Sequence, residues 1–372
     1  MIEPIILDAS KFESNGTLIR CALAFSSITS KPFVVEKFLL EEKFPGLSAQ
    51  NVALIDAFAS ATSADVAGNG VGSSVIQFFP KLPFNGKHIE IDFSSSANVV
   101  LPLHSFLIPA LLSKDKISIK LTGGTHVSDT PTPYFLKETV LSYLSPYFEN
   151  LSLQVPIVGF YPKAEGSLVF NSRSNISKGD KNRPLNIAPN KTLVALKGEL
   201  ISSGERLDSD VLKNINSMVA LSLKHFKVPL IIQPQYVASK SSGASMTLVA
   251  LFGTAEGYDN SFPYTIGLDR TWSSLSSIDK QSLEDSCLAF ISDFNNLLSK
   301  QTINLFSAEL ILPFIAILGG SILVSEITDT MRLIISLSKE FLDVEFIIEG
   351  NLLKTKGYLS ILVDSLPSIE DL

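Results

Sequence analysis

The chain has 372 residues, with 30 Lys+Arg against 37 Asp+Glu and a net charge of −7, a length that suits two domains or one large domain carrying an insertion. Its 45% hydrophobic and 18% charged residues supply a sizeable core and exclude general disorder, while the acidic balance excludes a protein that coats nucleic acid non-specifically. The two cysteines, Cys21 and Cys287, have no metal-type spacing, so neither a disulfide framework nor a cysteine zinc site is expected, and a reducing compartment fits best.

The opening Met1-Ile2-Glu3-Pro4 has neither the basic region nor the apolar run of a signal peptide. Ile5-Ile6-Leu7 reads as a short strand ending at Asp8, followed by a polar loop from Ala9 to Asn15. From Gly16 the spacing of Leu18, Cys21, Ala22 and Phe25 predicts a helix,. Pro45-Gly46 marks a turn before a second helix, Ala49 to Ala61,. His88 to Phe93 and Ile117 to Leu121 alternate as strands, with a nearly all-apolar helix from Leu101 to Leu112 between them,. Tyr134 to Leu144 predicts a further helix and Leu151 to Val155 a strand.

Asn171 to Pro189 turns to Ser, Asn, Lys, Arg and Gly and reads as a linker,. Beyond it, Thr192 to Ile201, Ile231 to Val237 and Met246 to Phe252 read as strands. Asp208-Ser209-Asp210 offers caps to a helix with Leu212, Ile215, Val219 and Leu223 on one stripe,. A polar stretch from Thr271 to Asp279 ends this unit, and a long helix follows with Leu283, Cys287, Ile291, Phe294 and Leu298 buried,. The domain expectation is therefore a core of repeated βα modules, residues 1–184 plus 281–372, and an inserted α/β domain, 185–280,. The most apolar stretch, Leu310 to Val324, is broken by Pro313, Gly319 and Gly320 and falls short of the ~18–20 residues of a membrane span. No membrane partner and a cytoplasmic location (nuclear or nucleolar in a eukaryote) are expected.

Several strings, in order, carry a resemblance. Leu7-Asp8-Ala9-Ser10-Lys11-Phe12-Glu13-Ser14-Asn15-Gly16-Thr17-Leu18-Ile19-Arg20-Cys21-Ala22-Leu23 resembles the opening LDGSxGEGGGQILRxAL of the RNA 3′-terminal phosphate cyclase family. Ser30-Lys31-Pro32-Phe33 resembles its TGKPF, and Phe44 to Gln50 its PGLxxQ. Gly123-Gly124-Thr125 and Gly159-Phe160-Tyr161-Pro162 resemble its GGT and GFYP. Gly319-Gly320 with Val324-Ser325-Glu326-Ile327-Thr328 resembles the GGG…VSEIT of archaeal-type members. Each motif alone is weak; their shared order is specific. The resemblance implies an α/β fold of repeated βαβα modules with a small inserted α/β domain. It also implies an activity: ATP and a divalent metal, a histidine–AMP adduct, and closure of a 2′,3′-cyclic phosphate on RNA. That chemistry needs an imidazole, nucleophilic when neutral and a good leaving group when protonated.

The chain departs from this pattern where the reaction would occur. The family's SEIT continues LHTRTN; here it continues Asp329-Thr330-Met331-Arg332, so Thr330 occupies the nucleophile's position. A threonine hydroxyl without a strong adjacent base is a poor nucleophile. The glycine-rich GEGGGQ has become Phe12-Glu13-Ser14-Asn15-Gly16-Thr17, with side chains where backbone would approach phosphate. The two arginines before PGL fall on Leu39 and Glu42. TAGS and LxLQ become Ser95-Ser96-Ala97-Asn98 and Leu101-Pro102-Leu103-His104, and ADQ becomes Ala308-Glu309-Leu310.

By resemblance, Glu13 is a metal-associated carboxylate and Arg20, Gln50 and His104 are phosphate- or RNA-binding candidates. His104 is also the weak substitute for the nucleophile. The plain alternatives are a solvated loop acid, a helix-surface arginine, a polar helix residue and a histidine buried on an apolar helix. His126 reads as a loop residue, and His88 and His225 as surface positions. The cations Lys163, Arg173, Lys178, Lys181, Arg183, Lys191 and Lys197 read as a solvated linker before an RNA contact.

The reading is a cyclase-like protein without its reaction, binding RNA or a ribonucleoprotein in RNA processing or ribosome biogenesis, with no DNA specificity evident and no cofactor assigned. The alternative is a divergent ATP-dependent cyclase that uses ATP and Mg²⁺. A sugar-carboxyvinyl-transferase-like activity shares the βα module, but no residue here identifies it.

Overall fold

The run Ile5-Ile6-Leu7 becomes strand β1 (Ile5–Asp8), and the stripe behind it becomes helix α1 (Asn15–Thr29), burying Leu18, Cys21, Ala22 and Phe25. The computed structural model describes residues 3–39, 45–93, 97–176, 183–187, 192–204, 209–253, 264–273 and 280–360. In it α1 leads to β2 (Phe33–Glu36), parallel to β1. Helix α2 (Ala49–Thr62) starts where Ser48 Oγ accepts the Asn51 N–H at 3.2 Å,. Strands β3 (Asp65–Ala67) and β4 (Ile76–Phe79) then close a sheet of order β1-β2-β4-β3.

The same module recurs as β5 (His88–Asp92), α3 (Val100–Leu112), β6 (Ile117–Gly123), α4, β7 (Phe148–Ile157) and β8 (Gly166–Ser174), again in the order first, second, fourth, third. Helix α4 joins a turn Pro133–Leu136, a π turn Lys137–Leu141 and a last turn Ser142–Leu144.

A third module begins at β9 (Leu185–Ile187), and the chain then leaves it. A sheet of β10 (Thr192–Ser203), β11 (Leu230–Tyr236), β12 (Gly243–Gly253) and β13 (Tyr264–Ser273) forms in the different order β11-β10-β12-β13. Helices α5 (Ser209–Leu223) and α6 (Lys280–Lys300) accompany it; Trp272 of β13 meets the Phe290 ring of α6 at 6.2 Å. The third module then resumes with α7 (Leu305–Leu318), β14 (Gly320–Leu323), α8 (Asp329–Leu342), β15 (Ile347–Glu349) and β16 (Leu352–Thr355). Read from β9, its order repeats that of the first two. Gly320 is required at the rejoining point, because a Cβ there would lie 2.2 Å from the Leu185 carbonyl of β9 and φ is +121°,.

The fold is thus α/β, three β-α-β-α-β-β modules with an α/β layer inserted in the third. The predicted linker from Asn171 to Pro189 is corrected at both ends. Residues 171–174 continue β8, whose inward-facing Phe170, Ser172 and Ser174 are buried, and 185–187 form β9. Strand β13 takes in Thr271, which the sequence placed in a polar terminating stretch. The rest of that stretch, 274–279, and the cap at Asp208-Ser209-Asp210 lie outside the described residues or side chains. The apolar run from Leu310 is the buried half of α7. Among the described residues no single helix is long and apolar enough to cross a membrane.

Candidate functional site

The first helices of the three modules, α1, α3 and α7, converge with the start of α8 on one cleft. Its walls include Thr17, Arg20, His104, Glu309, Leu310 and Thr330. Arg20 is the sixth residue of α1, and His104 and Glu309 are each the fifth of α3 and α7. Nearly equivalent places in three copies of one module therefore carry a cation, an imidazole and a carboxyl. The free space among them is about 50 Å³, against the ~300–1,000 Å³ of ordinary ligand pockets.

Arg20 donates from Nη2 to Thr17 Oγ1 at 3.0 Å. Burial opposes its charge and lowers its pKa, yet a guanidinium keeps its proton and offers five N–H donors. The remaining donors suit an anion's oxygens. Gly16 leaves room for this side chain: a Cβ there would stand 3.1 Å from Arg20 Nη1.

His104 is buried, 5% exposed. Its Nε2 lies 2.6 Å from the Leu310 carbonyl oxygen, and because a carbonyl only accepts, Nε2 carries the proton and Nδ1 the lone pair. The ring meets Phe314 edge-on at 5.4 Å. Burial pushes its pKa down to about 4, outweighing the Leu310 hydrogen bond, so the imidazole is neutral at pH 7.

Thr330 is half-buried near the start of α8, its Oγ1 2.6 Å from Ser14 Oγ. Two residues earlier, Thr328 caps the helix, accepting the Met331 N–H at 3.1 Å and donating to Glu309 Oε1 at 2.6 Å,. Burial raises the Glu309 carboxyl, while hydrogen bonds from Thr328 and Thr330 hold it back. The position of the expected nucleophile thus sits in a network of hydroxyls around one carboxyl. Sequence reading noted Glu309 only as an altered motif and missed Ser14, Thr17 and Thr328 as partners; the hydroxyl two residues before Thr330 was the available signal.

Other candidates lie apart. Glu13 is exposed on the loop before α1 and is absent from the cleft walls. Among the described residues no three His, Cys, Asp or Glu side chains converge to hold a metal ion. Gln50 donates from Nε2 to the Asn98 carbonyl at 2.6 Å, and Asn98 Oδ1 accepts the Val100 and Leu101 N–H groups that open α3. Gln50 thereby positions α3. His126, expected in a loop, is fully buried beside Thr125 and the Phe160 ring, its Nε2 without a hydrogen-bond partner. His88 and His225 are exposed, as expected. Of the cation run, Arg173 pairs with Glu149, Lys197 with Glu138, and Arg183 donates to the Pro146 carbonyl. Lys178, Lys181 and Lys191 lie outside the described residues, as do Glu42 and Ser95-Ser96.

A three-module α/β protein with an inserted layer and a cleft where the first helices meet is the class these features define. The family model for RNA 3′-terminal phosphate cyclase matches residues 11–348, a span that runs from the loop before α1 through Thr330, and the chain belongs to that family. It is 24% identical over 93% of its length to the RNA 3′-terminal phosphate cyclase of Pyrococcus abyssi, covering 95% of that protein. The Methanococcoides burtonii cyclase is 27% identical over 93% of this chain and 96% of its own. That of Korarchaeum cryptofilum is 32% identical over 165 residues, 44% of this chain and 47% of its own.

Proposed function

We propose that this chain is a non-catalytic cyclase-like protein that uses its cleft to bind an RNA end or a ribonucleoprotein, in RNA processing or ribosome biogenesis. A cytoplasmic location, or a nucleolar one in a eukaryote, belongs to the same reading. The observation that carries it is the Ser14–Thr330 contact at 2.6 Å: the position of the nucleophile holds an alcohol already tied to the hydroxyl of the residue before α1. Arg20 supports a retained anion-binding role, since it lines the cleft and Thr17 takes only one of its five donors,. ATP and a divalent metal are the family's reagents. The free space of about 50 Å³ in the cleft is small beside that of ordinary ligand pockets, and Glu13 alone supplies no more than one carboxylate to a phosphate-bound cation.

The alternative, a divergent ATP-dependent cyclase, has one observation in its favour. His104 is neutral in the same cleft and its lone pair is on Nδ1. One experiment separates the two: incubation with Mg²⁺ and ATP labelled at the α-phosphate, followed by detection of acid-labile label on the protein. The non-catalytic reading expects no label on the wild type and binding of a 3′-phosphate RNA that weakens in Arg20→Leu. Label that disappears in His104→Ala would replace it with the alternative. Gain of label in Thr330→His would show the scaffold still able to present phosphorus to that position.

A further inference from the structure

Away from the cleft, the inserted sheet rests one face on α4. Register places Glu199 of β10 opposite Thr247 of β12, and Thr247 opposite Asp269 of β13, so the three form one row on one face. Lys197 and Gly267, two residues along, share that face. Each meets α4 or the turn before it. The Thr132 N–H donates to Asp269 Oδ2 at 2.7 Å, and Thr132 Oγ1 lies 3.0 Å from Thr247 Oγ1. Lys197 pairs with Glu138 of the π turn. A Cβ on Gly267 would come within 2.4 Å of Thr139 Cγ2. At the far end the Thr265 N–H donates to Tyr143 Oη at 2.9 Å, and the Tyr143 hydroxyl donates to the Thr265 carbonyl at 3.2 Å.

Two acids of the seam, Asp269 and Glu199, belong to the sheet, and the seam serves them unequally. Asp269 is met by dipoles: the Thr132 N–H, the Thr132 hydroxyl and its own backbone. Glu199 faces Lys137, which favours its charge, and Glu138, which opposes it. Tyr134 feels both Glu138 and Glu199. On the opposite face of the sheet Arg270 pairs with Asp293 of α6.

We propose that this seam is a proton-dependent latch: with Asp269 and Glu199 neutral the inserted sheet seats fully on α4, and their ionisation loosens it. The latch stands on this geometry and is independent of the reading of the cleft. Burial raises both carboxyls to about 7 in the seated form, whereas solvated carboxyls titrate near ~4. Seating therefore takes up protons. It is tightest in acid, weakens as pH rises from about 4 towards about 7, and levels off above that. Within the window each acid changes the seating equilibrium by about tenfold per pH unit.

Hydrogen exchange on the full chain at pH 5.0 and 8.0, corrected for the intrinsic rate, reads this directly. Protection of the Thr132 and Thr265 amides is expected to fall at least ~tenfold relative to amides in the middle of α1. Asp269→Asn and Glu199→Gln should each remove part of that slope, and the double variant should flatten it while remaining protected at both pH values. Parallel change of the seam and α1 amides in the wild type would overturn the latch without any variant. So would a folded double variant that keeps the wild-type slope.

Discussion

The cleft and the seam each hold a carboxyl that burial raises and hydrogen bonds hold back, and they differ in the donors and charges beside it. In the cleft, Glu309 is flanked by the hydroxyls of Thr328 and Thr330; in the seam, Asp269 relies mainly on one backbone N–H and the hydroxyl of the same residue. The cleft's charge is carried by Arg20, which stays protonated. The seam's charge is carried by acids whose state depends on pH. Arg20 gives the cleft one positive charge that holds across the physiological range, whereas a contact built on the seam's acids changes its tightness there.

The largest expected effect breaks the seam by volume alone. In Gly267→Ala the new methyl would sit 2.4 Å from Thr139 Cγ2, on a side chain with no exposure and with its hydroxyl bonded to the Phe135 carbonyl. Overpacking of this kind costs about 1–3 kcal/mol, to be read as a lower urea midpoint. Adding Thr139→Ser removes the obstructing methyl and should return most of the loss, whereas a loss unchanged in the double variant would place the strain elsewhere.

In the cleft, Thr328→Ala removes the α8 cap and one donor to Glu309 together, at about 1 kcal/mol. The loss should grow with pH. Burial already raises the Glu309 carboxyl and the Thr328 hydroxyl opposes that rise; without the hydroxyl the folded state holds its proton more tightly still. Stability is then kept in acid and lost as pH rises through the folded value. Urea titrations at pH 5 and pH 8 measure the difference, and an equal loss at both would mean that only the cap matters.

How much of this was legible in the sequence follows from where each periodicity came from. The stripe Leu283, Cys287, Ile291, Phe294 and Leu298 is buried as expected, because α6 has one apolar face and one wet one. Helix α7 showed no such stripe: Leu310 to Leu318 is buried throughout, and a helix covered on all sides loses its period. Strand β9 was hidden for another reason. Its three residues lie in a polar stretch, and their partner Gly320–Ile322 is far along the chain. The three-fold repetition of the module therefore appeared only in the sheet orders. In the cleft, Thr330, His104 and Arg20 were found by motif order. Glu309 was seen but not its bond from Thr328, which the turn into α8 brings back onto α7. The seam had no sequence signal, since its row is made by register between strands.

Arg20→Leu should separate binding from stability. The arginine is held in the cleft wall by a single side-chain bond, to Thr17, and burial opposes its charge. Replacing it should raise the melting midpoint modestly, by up to about 1 kcal/mol of stability, while weakening the 3′-phosphate RNA complex. A variant that loses stability and keeps RNA affinity would assign Arg20 to packing.

The smallest effect tests whether burial, and not charge count, distinguishes the seam from the rest of the inserted layer. Arg270 Nη2 and Asp293 Oδ2 lie 3.0 Å apart on the outer face, with side chains 38% and 53% exposed. Arg270 also stands over the Phe290 ring, 5.6 Å from its centre, a contact that survives loss of the acid. Asp293→Asn should therefore cost no more than about 0.5 kcal/mol, and less still in 1 M salt. Lys197→Met acts on the inner face of the same sheet, where its partner Glu138 is 13% exposed and lies beside Glu199. It should cost more, keep its effect in salt, and lose much of it when Glu199→Gln is added. Equal costs on the two faces would mean that the seam screens its charges as water does, which would remove the physical basis for a proton-dependent contact there.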